Sequence, residues 1–162
     1  MMENGASDEG EGMAAVSHYG FLIDRDVAKA ASFFPRKRTR TTLQMGLPED
    51  TGDDVIVKLA WERQWIIVTG NGDHFIHQIL KFQTKTEKKE CHDLSGLIIL
   101  PNGFEVQKWL LREIEKKLRF GGKQITWADV WYKNYCVRVL KNGNAEITTF
   151  PKCLYCRKLQ EK

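Results

Sequence analysis

The chain has 162 residues, of which 42% are hydrophobic and 28% are charged, and its formal net charge is +4. This length allows one domain with a hydrophobic core, and no apolar run approaches the roughly 18 residues of a membrane-spanning helix. Four acidic residues fall in the first dozen positions, so the rest of the chain is more basic than the total suggests and favours an acidic partner such as nucleic acid. The polar start does not resemble a secretion signal, so we expect a cytoplasmic protein with reduced cysteines and no membrane association.

The first part of the chain predicts a tail followed by a strand and a helix. Residues 1–17 are polar and acidic without an aromatic side chain, so we expect a disordered acidic tail. The continuous apolar run 19–23 predicts a strand that is buried on both faces. Residues 26–34 carry apolar side chains at helical spacing, and Pro35 ends that helix. A short second strand is predicted over 41–44.

The middle of the chain alternates helices and strands. A helix begins near Asp53 or Asp54, and the apolar run 65–69 predicts the next strand. The turn at 70–73 leads into a second amphipathic helix, and the apolar run 94–100 into a third, over 106–118. Alternation of this kind predicts an α/β domain over 18–122 around a mainly parallel sheet.

The segment 123–162 has a different pattern. Apolar residues alternate from Trp131 to Val139, Asn142 and Gly143 form the preferred pair of a tight turn, and 145–150 can pair back. We therefore expect a C-terminal extension that consists of a β-hairpin and a basic end with cysteines.

Acidic residues stand where strands and helices meet. Asp24 follows the first strand, Asp53 begins a helix, and Asp73 closes the turn that also holds Asn71. Parallel strands bring their carboxyl ends to one edge of a sheet, so these side chains are expected to converge. Each acid alone is typical of a helix cap or a turn. Together they predict an all-oxygen site for Mg²⁺ or Mn²⁺ that could hydrolyse a phosphodiester.

A dense basic run follows the first predicted helix. It consists of Arg36, Lys37, Arg38 and Arg40. Such a run can neutralise a phosphate backbone, and we expect it to contact nucleic acid. The second basic group, around Lys116 and Lys117, fits a solvated helix end better.

Two C-terminal cysteines have the spacing of half a zinc site. Cys153 and Cys156 could bind Zn²⁺ if Cys136 and either Cys91 or His92 supplied the other ligands. Reduced thiols are the default interpretation.

Several motifs, in this order, resemble the PIN-like nuclease superfamily. They are the Leu-Ile-Asp strand end at 22–24, the Asp-x-x-Ile-x-x-x-Ala helix start at 53–60, and the Ile-Val-Thr strand that leads into Gly-Asn-Gly-Asp-His-Phe at 67–75. The chain is similar in particular to a short bacterial branch with Leu-Ile-Asp-Glu-Asn and Thr-x-Asp-x-Asp-Phe motifs. The resemblance covers about 19–118.

This resemblance implies a three-layer α/β sandwich and a metal-dependent ribonuclease with RNA as substrate, with Asp24, Asp53 and Asp73 at the acidic positions. The side-chain oxygen of Asn71, in the same turn as Asp73, is an auxiliary ligand in this interpretation. The resemblance also implies a toxin role with an antitoxin protein as partner. Asn71 stands where the branch has Asp, and Asp26 or Asp54 could replace that charge. The alternatives are a PIN-like module that binds RNA or protein without catalysis, and a nucleotide-binding turn at 70–72. A homodimer is compatible with the sequence.

Overall fold

The computed structural model describes residues 19–84, 90–101 and 110–160. The expected tail 1–17 lies outside these ranges, as do residues 106–109 of the third predicted helix. The strands are β1 (Gly20–Ile23), β2 (Thr39–Thr41), β3 (Trp65–Thr69), β4 (Leu97–Ile99), β5 (Arg119–Phe120), β6 (Lys123–Gln124), β7 (Tyr135–Val139) and β8 (Ala145–Thr149). The α-helices are α1 (Asp53–Arg63), α2 (Gly72–Gln83), α3 (Leu110–Lys117), α4 (Trp127–Lys133) and α5 (Leu154–Gln160), and two 3-10 helices span Arg25–Phe33 and Arg36–Arg38.

A six-stranded sheet forms the centre of the fold, in the order β2-β1-β3-β4-β7-β8. The first five strands of this order are parallel to their neighbours, and β8 is antiparallel to β7. The prediction of an α/β fold around a mainly parallel sheet is therefore confirmed. β5 and β6 form a separate two-stranded ribbon.

Helices cover both faces of the sheet, because its central strands are apolar on both sides. In β3, Ile66 and Val68 pack on one face, in a core that also contains Ile114 and Val130 from α3 and α4. Ile67 packs on the other face, among residues of α1 and α2. Successive side chains of a strand point in opposite directions, so a run without polar residues needs two covering layers. The arrangement is compatible with a three-layer sandwich.

The segment after Gly122 contributes to this sheet. The sequence placed it in an extension outside the α/β domain, whereas β7 lies between β4 and β8. The reason is its composition, since Tyr135, Cys136, Val137 and Val139 are all buried. A strand that is apolar on both faces is stable only when both faces are covered.

Local structure also differs from the sequence prediction at two helices. The predicted helix 26–34 is a 3-10 helix with a kink at Val27, whose backbone angles are not helical. The alternation of apolar residues predicts a strand that includes Trp131, whereas residues 127–133 form helix α4. Its start is a capping box, in which Thr126 accepts a hydrogen bond from the Asp129 amide and the Asp129 carboxylate accepts one from Thr126. The pattern Thr-x-x-Asp before an apolar run was the available signal.

In the described parts of the chain, no helix is long and apolar enough to cross a membrane.

Candidate functional site

The carboxyl ends of β1 and β3 lie side by side and carry the first elements of the site. Ile23 is in register with Val68, so Asp24, the residue after β1, lies beside Thr69 at the end of β3. The Asp24 amide donates a 2.8 Å hydrogen bond to the Val68 carbonyl and extends the pairing by one residue. The parallel connection predicted from the sequence thus places Asp24 at the expected edge of the sheet.

Two hydrogen bonds fix the carboxylate of Asp24. One oxygen accepts from the Arg25 amide at 2.8 Å, and the other accepts from the Thr69 hydroxyl at 2.9 Å. The Thr69 hydroxyl oxygen in turn accepts from the Asn71 amide at 2.9 Å. Thr69 is completely buried, so this relay holds the carboxylate in one orientation. The sequence analysis did not identify Thr69 as a site residue.

Asp26 lies next to Asp24 and shares its electrostatic environment. Burial raises the pKa of Asp26 to about 6, and the negative charge of Asp24 and a side-chain hydrogen bond with it act in the same direction. The Gly70 amide, which donates to Asp26 at 3.4 Å, opposes this shift, and the charge of Asp53 adds to it. A carboxyl group that is partly buried beside another carboxylate has a raised pKa because its charged form is disfavoured, and such groups are frequent at functional sites.

Asp53 brings a third carboxylate from the start of α1. Burial raises its pKa, the charge of Asp24 raises it further, and His74 lowers it. The Nδ1 atom of His74 lies 3.8 Å from an Asp53 oxygen, and the His74 side chain is mostly exposed. The carboxylates of Asp24, Asp26 and Asp53 are therefore close enough for their charges to affect one another. We call these three residues the acidic site.

The other two predicted ligands are exposed. The Asp73 side chain is 93% exposed and lies 3.5 Å from the guanidinium of Arg138 on β7. Asn71 is exposed, and its side chain makes no capping hydrogen bond at the start of α2. The structure thus brings Asp24 and Asp53 together with Asp26, while Asp73 stands in the first turn of α2 with Arg138 as its ion-pair partner. The direction of a helical side chain changes by about 100° from one residue to the next. The positions of strand and helix ends in the sequence therefore do not show which way such a side chain points.

As a set of three, the carboxylate oxygens of the acidic site are widely spaced. Across the described ranges, its carboxylate oxygens do not form a set of three within 4.8 Å of one another. Mg²⁺ and Mn²⁺ retain several water molecules when they bind proteins. These side chains suit an ion of that kind, which can reach part of its protein ligands through water.

The predicted basic run forms part of a groove beside the sheet edge. The groove has a volume of about 810 Å³, and its charged lining consists of Arg36, Lys37 and Arg40. Arg38 does not line it, because its guanidinium stacks 4.9 Å above the ring of Tyr19. The 3-10 helix 25–33 connects the two features, since it begins beside Asp24 and its end leads into the groove wall at Phe34.

The cysteines predicted as half of a zinc site have two further partners in space. Cys91, Asp93, Cys153 and Cys156 each place one potential ligand atom within 4.8 Å of the others. Cys136 is not among them, because β7 places it in the core beside α1 and α2. Cys91 is one of the two alternative ligands predicted from the sequence, whereas Asp93 is not among the predicted ligands.

Comparison with known protein families, with characterised proteins and with solved structures finds no match for this chain.

Proposed function

We propose that this chain is a PIN-like ribonuclease that depends on Mg²⁺ or Mn²⁺, with Asp24, Asp26 and Asp53 as the residues that hold the ion. The observation that carries the proposal is the grouping of these carboxylates at one sheet edge, where burial first and the charge of Asp24 second raise the pKa of both Asp26 and Asp53. Negative charge concentrated at the carboxyl edge of a parallel sheet, in a field that a cation would relieve, is typical of a functional site.

The residues around the acidic site have distinct roles in this proposal. A bound divalent ion supplies charge neutralisation at the phosphate and a water of lowered pKa. Thr69 keeps Asp24 in its orientation, and the Gly70 amide does the same for Asp26. Arg36, Lys37 and Arg40 hold the phosphate backbone of RNA in the groove, which contributes affinity without sequence preference.

The experiment is cleavage of an end-labelled single-stranded RNA with Mn²⁺ by the whole chain and by single variants. Asp24→Asn and Asp53→Asn are each expected to lower the rate at least about 100-fold, as loss of a metal partner does. Asp73→Asn is the matched control and should retain most activity, because the Asp73 side chain is exposed and pairs with Arg138. Equal cleavage by wild type, Asp24→Asn and Asp53→Asn would reject the proposal.

A second candidate is an RNA-binding module that has kept the fold without the reaction. It is favoured by the exposed Asn71, which supplies no carboxylate, and by the pairing of Asp73 with Arg138. Such a module binds RNA through the groove, whereas it gives no calorimetric heat with Mn²⁺ that depends on Asp24. The toxin role and its antitoxin partner rest on the family resemblance alone, and the adjacent gene is the place to test them.

A further inference from the structure

The structure contains a second cluster of potential metal ligands, and it shares no residue with the acidic site. It consists of Cys91 and Asp93 from the segment before β4, and Cys153 and Cys156 at the start of α5. The Sγ atoms of Cys91 and Cys156 are 3.1 Å apart. Segments about 60 residues apart in sequence therefore supply two ligands each.

The surroundings of Cys153 suit a sulfur that carries negative charge. Its side chain is 0% exposed, and its Sγ atom accepts hydrogen bonds from the amides of His92 at 3.3 Å and Cys156 at 3.4 Å. Backbone amides aimed at a buried sulfur stabilise the thiolate more than the thiol, and the thiolate is the form that binds metals. A buried thiolate also requires a positive partner.

Asp93 is held in place by the same framework. Its Oδ1 atom accepts a hydrogen bond from the Cys153 amide. A ligand whose orientation is fixed by the backbone of another ligand is characteristic of a metal site with an ordered outer shell.

We propose that Cys91, Cys153, Cys156 and Asp93 bind one Zn²⁺ ion. Three sulfurs and one carboxylate oxygen are a ligand set that tetrahedral zinc accepts. Zinc–sulfur bonds of about 2.3 Å separate the sulfurs of a tetrahedron by roughly 3.8 Å. The 3.1 Å between Cys91 and Cys156 would need to widen by less than an ångström, and both residues are accessible enough to shift.

A disulfide between Cys91 and Cys156 is the competing use of the same atoms. It would leave the third sulfur, the two amides aimed at it and the Asp93 carboxylate without a role. A zinc ion uses all of them.

The ion would fix the C-terminal helix to the domain. The Trp61 indole donates a 3.0 Å hydrogen bond to the Cys91 carbonyl, and the Gln83 amide donates one of 2.8 Å to the Pro151 carbonyl. These bonds anchor both halves of the cluster to α1 and α2. The zinc site would thus add to the hydrogen bonds that already connect the segment before β4 with the start of α5.

The test is the zinc content of the whole chain, purified with a phosphine reductant and Zn²⁺ and then exchanged into metal-free buffer. We expect about one zinc per chain by mass spectrometry of the metal, and thiolate-to-metal charge-transfer absorption after replacement by Co²⁺. Cys91→Ser and Cys156→Ser should each lose most of the metal and the absorption band. These two cysteines carry the test because they are more accessible than Cys153, and circular dichroism reports whether each variant is folded.

Cys136→Ser is the matched control, because it removes a buried cysteine outside the cluster and should retain the zinc. Asp24→Asn and Asp53→Asn should also retain it, which separates this site from the acidic site. The proposal is overturned if folded wild type holds no more zinc than Cys91→Ser. It is equally overturned if Cys136→Ser loses the metal as Cys91→Ser does, or if mass mapping of protein purified with zinc finds a bond between Cys91 and Cys156.

Discussion

The buried hydroxyl of Thr69 donates a 2.9 Å hydrogen bond to the carboxylate of Asp24, 45 residues earlier in the chain. This bond joins the ends of β1 and β3 and sets the direction in which the Asp24 oxygens point. The same hydroxyl accepts from the amide of Asn71, so the turn before α2 and the acidic site are positioned together.

Replacing Thr69 with Val keeps the shape of the side chain and removes both hydrogen bonds. We expect RNA cleavage with Mn²⁺ to fall about 10- to 100-fold, because Asp24 loses the partner that orients it. Thr69→Ser retains the hydroxyl and should recover most of the rate. If Thr69→Val and Thr69→Ser reduce the rate equally, the hydroxyl does not act through Asp24.

The raised pKa of Asp26 makes the stability of the metal-free protein depend on pH. An ordinary Asp titrates near 4, whereas Asp26 in the folded protein titrates at about 6. The folded state therefore binds more protons between these values, and stability is lost as the pH rises from about 4 to 6. Asp26→Asn removes this loss and should stabilise the protein at pH 7 by on the order of 1 kcal/mol, since solvent screens part of the repulsion.

Urea unfolding in EDTA, at about pH 4.5 and about pH 7, measures the free energy of unfolding of wild type and variant near the two ends of this pH range. Added Mn²⁺ should reverse the order at pH 7, because wild type gains binding energy that the variant lacks. A variant that is less stable than wild type at pH 7 without metal would contradict the assigned repulsion.

Gly70 leaves room for the carboxylate of Asp26. A Cβ atom at this position would lie 3.0 Å from an Asp26 oxygen and 3.2 Å from a Val27 methyl carbon. Gly70→Ala should therefore displace Asp26 and weaken Mn²⁺ binding in calorimetry by about 10-fold. Gly70→Ala should also lower the free energy of unfolding, and in an Asp26→Ala background this loss should be smaller, since the crowded oxygen is gone and only the contact with Val27 remains. Equal effects in both backgrounds would place the cause elsewhere.

The sequence predicted the sheet better than it predicted the site. Dense apolar runs such as 65–69 identify buried strands without tertiary information, and the position of Asp24 at a strand end follows from them. The position of Asp73 does not follow, because its direction depends on where the first turn of α2 begins. The meeting of Cys91 and Asp93 with Cys153 depends on the path of the chain through α1, α2 and the sheet, which no local pattern records.

At helix α4, two local sequence patterns predict different structures. Its Thr126 and Asp129 form a capping box that the sequence displays, but the alternating apolar residues further along favoured a strand. The alternation from Trp131 to Val139 outweighed the capping signal in the prediction, although the strand itself begins only at Tyr135.

The groove is expected to bind RNA through charge. Arg36→Glu combined with Lys37→Glu should weaken binding of a single-stranded RNA at least about 10-fold, and should lower the slope of log affinity against log salt by about 1 to 2. Lys116→Glu combined with Lys117→Glu makes the same change in net charge away from the groove and is the control. Fluorescence anisotropy over a range of salt concentrations measures both. Equal losses in the two double variants would show that only total charge matters.

The central claim is that Asp24, Asp26 and Asp53 bind one divalent ion. Anomalous diffraction from a crystal soaked in Mn²⁺ tests it most directly, because the signal locates the metal independently of activity. We predict a peak among these three carboxylates that is lost in Asp24→Asn. A peak beside Asp73 and Arg138, or none near β1 and β3 at saturating Mn²⁺, would contradict the claim.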